Sequence, residues 1–128
     1  MRTDTVNPLV LAWVGDAVCH EYVRRYLVGR STAKVHALER KSTSYVSAKA
    51  QSDAFLCLTD FFTEEEKATA RRAENAHAGH CPKNATVEEY RRATALEAVV
   101  GSLRLQGDEE RLEALLCRMI GVCEKESL

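Results

Sequence analysis

The sequence predicts a single all-helical domain, and three observations support this prediction. The length of 128 residues suits one hydrophobic core, and a content of 45% hydrophobic and 29% charged residues is typical of a globular protein. No stretch shows the alternation of apolar and polar residues that is typical of a half-buried strand. Helix-capping patterns recur along the chain, and only Pro8 and Pro82 interrupt it. We therefore expect one domain over residues 1–128.

Six helices are expected in order. The first has an N-cap at Asn7, a proline at its first position and a glycine just past its end. Thr63 and Thr86 each precede a glutamate by three residues, which is the capping-box pattern that starts the fourth and fifth helices. Gly107 and Asp108 separate the fifth helix from the sixth. The expected spans are about 8–28, 32–41, 42–58, 64–77, 87–105 and 109–122.

Charge and cysteine content limit the possible partners and compartments. The net charge is −1, but residues 108–128 are acidic and the remainder is slightly basic, which leaves a basic face that could meet a polyanion. The five cysteines form no CxxC pair, as expected for reduced core residues of a cytoplasmic protein. The apolar run in the first helix is shorter than the ~20 residues that span a bilayer, so no membrane association is expected. A zinc site at His77, His80 and Cys81 lacks a fourth ligand at a familiar spacing, which favours a polar loop there.

Two apolar helices each carry one lone acid and one glycine. Gly15 and Asp16 are the only exceptions in the apolar run of the first helix, and a helix that is apolar all round is expected to be buried. Glu97 is the only charge in residues 93–103, and Gly101 lies one turn further on the same face. A buried carboxylate needs a partner, and glycine disfavours a helix interior, so both helices suggest a constraint beyond folding.

The two glycines would allow the two helices to approach closely. The carboxylates could then converge on a hard cation such as Mg²⁺, which binds few carboxylates and retains water ligands. Alternatively, a nearby arginine neutralises each acid, or each acid lies at the wet edge of its helix. The occurrence of both acids in the most apolar helices favours convergence. The sequence contains no phosphate-cradling glycine loop, no GxSxG and no HExxH motif.

The motifs around these acids resemble those of the ribonuclease III family. LAWVGDAV resembles the family signature E-x-x-G-D-A-V, and TALEAVVGSL resembles its second acidic motif, D-x-x-E-A-x-x-G. The chain is more similar to the short Mini-III ribonucleases, which lack a separate double-stranded-RNA-binding domain. Their counterparts of KSTSYVSAKAQ, PKNATVEEYRRATALEA and EERLEAL occur in the same order.

The resemblance implies an all-helical, homodimeric endoribonuclease that hydrolyses double-stranded RNA with Mg²⁺. A typical substrate of the short class is the end of a large-subunit (23S) ribosomal RNA precursor. Asp16 and Glu97 match the catalytic, metal-binding acids of the family. Longer members carry two further acids, at the positions of Ala12 and Thr94 in this chain. A non-catalytic double-stranded-RNA-binding protein and a helical dimerisation adaptor remain alternative functions.

Further residues have expected roles around this site. His20, one turn after Asp16, is expected to order the helix surface or face solvent, and Glu21 is a candidate for holding metal-bound water. Trp13 is expected to anchor a C2 dimer, with a core tryptophan of a single chain as the alternative. RNA is expected to contact the end of the fourth helix and the start of the fifth, at Arg71, Arg72, Asn75, His77, His80, Lys83 and Asn84. The other basic candidates are Lys34, Arg40, Lys41 and Lys49.

Overall fold

The computed structural model describes residues 1–76, 81 and 83–126, and its regular secondary structure there is entirely helical. The helices are α1 (Pro8–Val28), α2 (Val35–Val46), α3 (Ala48–Cys57), α4 (Glu64–Glu74), α5 (Val87–Gln106) and α6 (Glu109–Glu126). The prediction of an all-helical fold is confirmed for these residues.

The central helix of the fold is α5. Its side chains from Ala93 to Leu103 are buried, except that Glu97 is partly exposed. Four other helices, α1, α3, α4 and α6, pack around it. The helix begins at the predicted capping box of Thr86 and ends at Gly107, whose φ of 80° is the left-handed conformation that favours glycine at a helix end. An apolar sequence on all sides is what a helix in this central position requires.

Helix α1 has the predicted bounds but is not buried on all sides. The Asn7 side chain accepts a hydrogen bond from the first turn, and Leu11 and Val23 are buried in the core. Val10 and Trp13 are exposed on the opposite side of the helix. The expectation that its apolar run would be fully buried is therefore wrong, because other helices cover α1 on one side only.

The break between α2 and α3 lies at Ser47, five residues after the expected start of the third helix. Ser47 has an extended backbone, and its Oγ accepts a hydrogen bond from the Ala50 amide at 3.2 Å. Ser42 and Ser44, which lie near the expected start, donate their hydroxyl hydrogens to carbonyls of the preceding turn and remain inside α2. A serine can cap a helix or bond back into one, so the sequence pattern left this boundary ambiguous. Three other ends differ by three or four residues, since α2 begins at Val35, α4 stops at Glu74 and α6 continues to Glu126.

Polar contacts fasten α6 to the rest of the bundle. The Tyr22 hydroxyl of α1 donates a hydrogen bond to Glu113 of α6 at 3.0 Å. Arg111 of α6 forms an ion pair with the buried Glu66 of α4 at 2.8 Å and donates a further hydrogen bond to the Phe61 carbonyl. These contacts fix α6 against both α1 and α4.

The cysteines match the expectation of reduced core residues only in part. None of the five forms a disulfide, and Cys19 and Cys123 are buried in the hydrophobic core, whereas Cys57 and Cys117 are exposed. Within the described part of the chain, no helix is both long enough and apolar enough to cross a membrane.

Candidate active site

Helices α1 and α5 meet at their two glycines. A Cβ atom placed on Gly15 would lie 1.7 Å from the Glu97 carbonyl oxygen, and one placed on Gly101 would lie 1.9 Å from the Leu11 carbonyl oxygen. Both distances are far below van der Waals contact, so the two backbones touch at a point where only glycine fits. The predicted close approach of the two helices is confirmed.

The two lone acids converge beside this crossing. The carboxyl groups of Asp16 and Glu97 are close enough to share a hydrogen bond. The side chain of Asp16 is 54% exposed, whereas Glu97 is largely enclosed by the helices. The expectation that Asp16 would be buried is therefore wrong. The pair forms a site in which Glu97 is the more enclosed acid and Asp16 the more exposed one.

The surroundings of Glu97 strongly favour its protonated form. Burial, the hydrogen bond with Asp16 and the negative charge of Asp16 together raise the pKa of Glu97 to about 9. Among the described residues, neither acid forms an ion pair with an arginine, which argues against simple neutralisation. At neutral pH the pair thus retains one proton, and a bound cation could take the place of that proton.

The donor set suits a small hard cation. Two carboxyl groups from different helices offer oxygen ligands, and Mg²⁺ typically binds one or two carboxylates together with water and phosphate oxygens. In the described part of the chain, no three His, Cys, Asp or Glu side chains are grouped to hold a metal, so the candidate ligands there are this pair. Thr94, at the position of one missing acid, is buried and donates its hydroxyl hydrogen to the Tyr90 carbonyl at 2.8 Å. The zinc alternative involving His77 and His80 lies outside the described residues.

Two residues that follow Asp16 on α1 have different partners. His20 Nε2 lies 3.2 Å from Asp16 Oδ1, so the ring contacts the acid pair directly. Glu21 instead forms an ion pair with Arg25 at 2.7 Å. The spacing of four residues between Asp16 and His20 was the sequence signal for the first contact.

The position of Trp13 rules out one of its two interpretations. Its side chain is 77% exposed, so it is not a core residue of the single chain. Val10 and Ala17 are exposed three residues before it and four residues after it, on the same side of α1. These three residues define an exposed apolar stripe, which we call the α1 stripe.

The candidate RNA-binding residues fall into three groups. Arg72 is partly buried, and its Nη2 donates a hydrogen bond to the Val6 carbonyl at 2.6 Å, which holds the segment that precedes α1. His77 and His80 lie outside the described residues. The exposed candidates are Arg71 and Asn75 at the end of α4, and Lys83 and Asn84 just before α5.

Comparison with known proteins identifies the family. A family model described as the Ribonuclease III domain matches residues 9–108. The chain belongs to the ribonuclease III family. This result confirms the family that the sequence motifs predicted. It also confirms the predicted enzyme class, a ribonuclease.

Two relatives and one solved structure resemble this ribonuclease III domain over most of its length. The Mini-ribonuclease 3 of Staphylococcus aureus is 44% identical over 119 residues, which cover 91% of this chain and 89% of the relative. That of Brevibacillus brevis is 41% identical over 121 residues, which cover 94% and 90%. A crystal structure of a Fusobacterium nucleatum protein is 30% identical, with a TM-score of 0.83 and coverage of 98% of this chain and 97% of that chain.

The raised pKa of Glu97 predicts how the stability of this ribonuclease III domain depends on pH. The ordinary pKa of a glutamate is 4.5, and that of Glu97 in the folded state is about 9. At a pH between these two values, the folded state keeps a proton on Glu97 that the unfolded state has released. The free energy of unfolding must therefore fall as pH rises through this window. In the presence of a chelator, we expect the Tm of the wild type to drop by several degrees more between about pH 5.5 and 8.5 than the Tm of Glu97→Gln. Parallel melting curves would contradict the buried, protonated state of Glu97.

Proposed function

We propose that this ribonuclease is an endonuclease that hydrolyses double-stranded RNA with Mg²⁺ held by Asp16 and Glu97. The observation that carries the proposal is the convergence of these two acids at the glycine crossing of α1 and α5. Following the short class that the motifs resemble, we place its natural substrate at the ends of large-subunit (23S) ribosomal RNA precursors. We place its activity in the cytoplasm, where cysteines that form no disulfide typically stay reduced.

The two acids would have different tasks in this reaction. Asp16 is exposed, so it lies on the side from which a phosphodiester can approach. Glu97 lies deeper and would give up the proton it shares with Asp16 as the cation binds. The bound Mg²⁺ would supply charge stabilisation at the phosphate and a water of lowered pKa.

The proposal is tested by incubating the protein with long duplex RNA and with single-stranded RNA, with Mg²⁺ and with a chelator. We expect internal cleavage of the duplex with Mg²⁺ only, and little cleavage of the single strand. Duplex binding without cleavage would favour the non-catalytic RNA-binding alternative. Absence of both binding and cleavage would favour the dimerisation adaptor.

We propose that an RNA surface lies at the end of α4 and the start of α5, comprising Arg71, Asn75, Lys83 and Asn84. A-form RNA is recognised largely through phosphates and 2′-hydroxyls, for which exposed basic and amide side chains suffice. Glu97 lies ten residues after the first residue of α5, which is roughly 15 Å along the helix. A phosphate at Lys83 would thus be a neighbour of the reacting phosphate, held further along the duplex. Arg72 is left out of this surface because its guanidinium contacts Val6.

Replacing Lys83 with alanine should weaken binding to duplexes of every sequence. Loss of one phosphate contact should reduce the slope of log affinity against log salt by roughly one unit. The measurement is a binding titration at several salt concentrations, with Lys125→Ala on the acidic α6 as the matched control. An unchanged salt slope in Lys83→Ala would move the RNA to another surface, such as that of Lys34, Arg40, Lys41 and Lys49.

We propose that the α1 stripe is the contact surface of a C2 homodimer. An exposed tryptophan flanked by apolar residues on one helix face is typical of a protein interface. Trp13 precedes Asp16 by three residues, so such a dimer would bring the acid pairs of both subunits close to the interface.

Replacing Trp13 with alanine should shift the protein from dimer to monomer. Loss of the largest apolar side chain of the stripe removes much of the area that the contact would bury. Sedimentation at micromolar concentration should give twice the 14.3 kDa chain mass for the wild type and the single-chain mass for the variant. Leu56→Ala, which alters an exposed apolar side chain on α3, should leave the dimer intact. A wild-type monomer would contradict the proposal.

A further inference from the structure

The carboxyl group of Asp16 lies between two partners. On one side it shares a hydrogen bond with Glu97. On the other side, His20 Nε2 lies 3.2 Å from its Oδ1 atom. The histidine is four residues further along α1, so both side chains lie on the same face of a rigid helix. His20 therefore contacts Asp16 from the next turn of α1, whereas Glu97 reaches it from α5.

The other cationic side chains nearby on α1 are engaged elsewhere. Arg25 forms an ion pair with Glu21 at 2.7 Å, and Arg24 lies 3.6 Å from Glu39 of α2. In the described part of the chain, His20 is the basic side chain that contacts Asp16. Because Asp16 is 54% exposed, packing alone does not fix the orientation of its carboxylate. The His20 ring, whose Nε2 lies 3.2 Å from Asp16 Oδ1, restricts that orientation.

We propose that His20 is a positioning residue, which donates a hydrogen bond from Nε2–H to Asp16 and thereby orients the Asp16 carboxylate towards the cation shared with Glu97. The inference rests on the proposed function of the acid pair. Such a bond would occupy Oδ1 and leave Oδ2 available to the cation. Groups that orient a metal ligand in this way commonly alter metal affinity by about 10- to 100-fold.

The role requires a hydrogen-bond donor at position 20. It does not require that the side chain there gain or lose a charge. Glutamine supplies an amide N–H, and a glutamine four residues from an aspartate interacts with it on a helix. His20→Gln should therefore preserve the function, whereas His20→Ala should lose it. His36→Ala is the matched control, since His36 is an exposed histidine on α2.

The test is direct titration of the protein with Mn²⁺ in the absence of RNA, with free Mn²⁺ measured by electron paramagnetic resonance. We expect His20→Ala to raise the Kd for Mn²⁺ about tenfold, and His20→Gln and His36→Ala to stay close to the wild type. Asp16→Asn should lose the binding. In cleavage assays, His20→Ala should need about tenfold more Mg²⁺ for half-maximal rate and approach the wild-type kcat at saturation.

Three results would overturn the inference. Mn²⁺ binding by His20→Ala as tight as the wild type, or tighter, would show that the histidine does not orient Asp16. Equal losses in His20→Ala and His20→Gln would assign the effect to packing of the ring. Equal binding by Asp16→Asn and the wild type would reject the proposed metal pair itself. The Asp16→Asn result tests the proposed metal pair, and the His20→Ala result tests the role of His20, so the two failures are distinguishable. Circular dichroism of each variant verifies that it is folded.

Discussion

Replacing Gly15 with alanine should destabilise the protein by more than about 3 kcal/mol, enough to unfold a marginally stable domain. The new Cβ would lie 1.7 Å from the Glu97 carbonyl oxygen, which belongs to the backbone of the central helix and cannot rotate away. The helices would have to separate, which would open the core between α1 and α5. Gly101→Ala should have a similar effect through the Leu11 carbonyl oxygen, at 1.9 Å. Urea unfolding followed by circular dichroism measures both changes.

The same substitution at Gly121 provides a matched control. Gly121 lies inside α6, and a Cβ placed there meets no atom within 4 Å. Alanine favours a helix interior over glycine, so Gly121→Ala should raise the free energy of unfolding by about 0.5–1 kcal/mol. Wild-type stability of Gly15→Ala would contradict this account, because it would mean that α1 can move away from α5 without loss.

Replacing Asp16 with asparagine, or Glu97 with glutamine, should reduce cleavage of duplex RNA by more than about a hundredfold. Each change keeps the shape of the side chain and removes the negative charge that would hold the cation. Loss of a group that only orients a metal ligand can already reduce activity by up to about a hundredfold. Duplex binding should survive or improve, since repulsion of phosphates is reduced. The two readouts are single-turnover cleavage with saturating Mg²⁺ and filter binding with a chelator.

An exposed acid on another helix gives the control for these variants. Glu110→Gln removes a carboxylate from the first turn of α6 and should leave the cleavage rate unchanged. A near wild-type rate for either active-site variant would show that the altered residue is not a ligand. Unfolding of both variants would instead assign the pair a purely structural role.

Local capping chemistry made most of the helix boundaries predictable. The side chains of Asn7, Thr63 and Thr86 bond to the first turns of α1, α4 and α5, as the sequence pattern indicates. These interactions involve residues within three positions of one another, so they leave a clear trace in the sequence. The boundary at Ser47 escaped prediction because several neighbouring serines have the same capping ability, and only packing decides which one ends a helix.

The sequence by itself also determined the elements of the candidate site. Two apolar helices, each with one acid and one glycine, predict a close crossing with paired carboxylates, and both features are present around Gly15 and Gly101. The motifs around the acids likewise predict the ribonuclease III family, which the family model confirms.

Only the tertiary structure decided which acid is largely enclosed and which is exposed. The runs of α1 and α5 are both predominantly apolar, but α5 is buried through almost all of residues 93–103, whereas α1 leaves Val10, Trp13 and Ala17 exposed. Glu97 is therefore held at the base of the site with a raised pKa, while Asp16 and Trp13 face outwards. Burial depends on the neighbours that the whole chain brings to a helix, and these cannot be deduced from the helix itself.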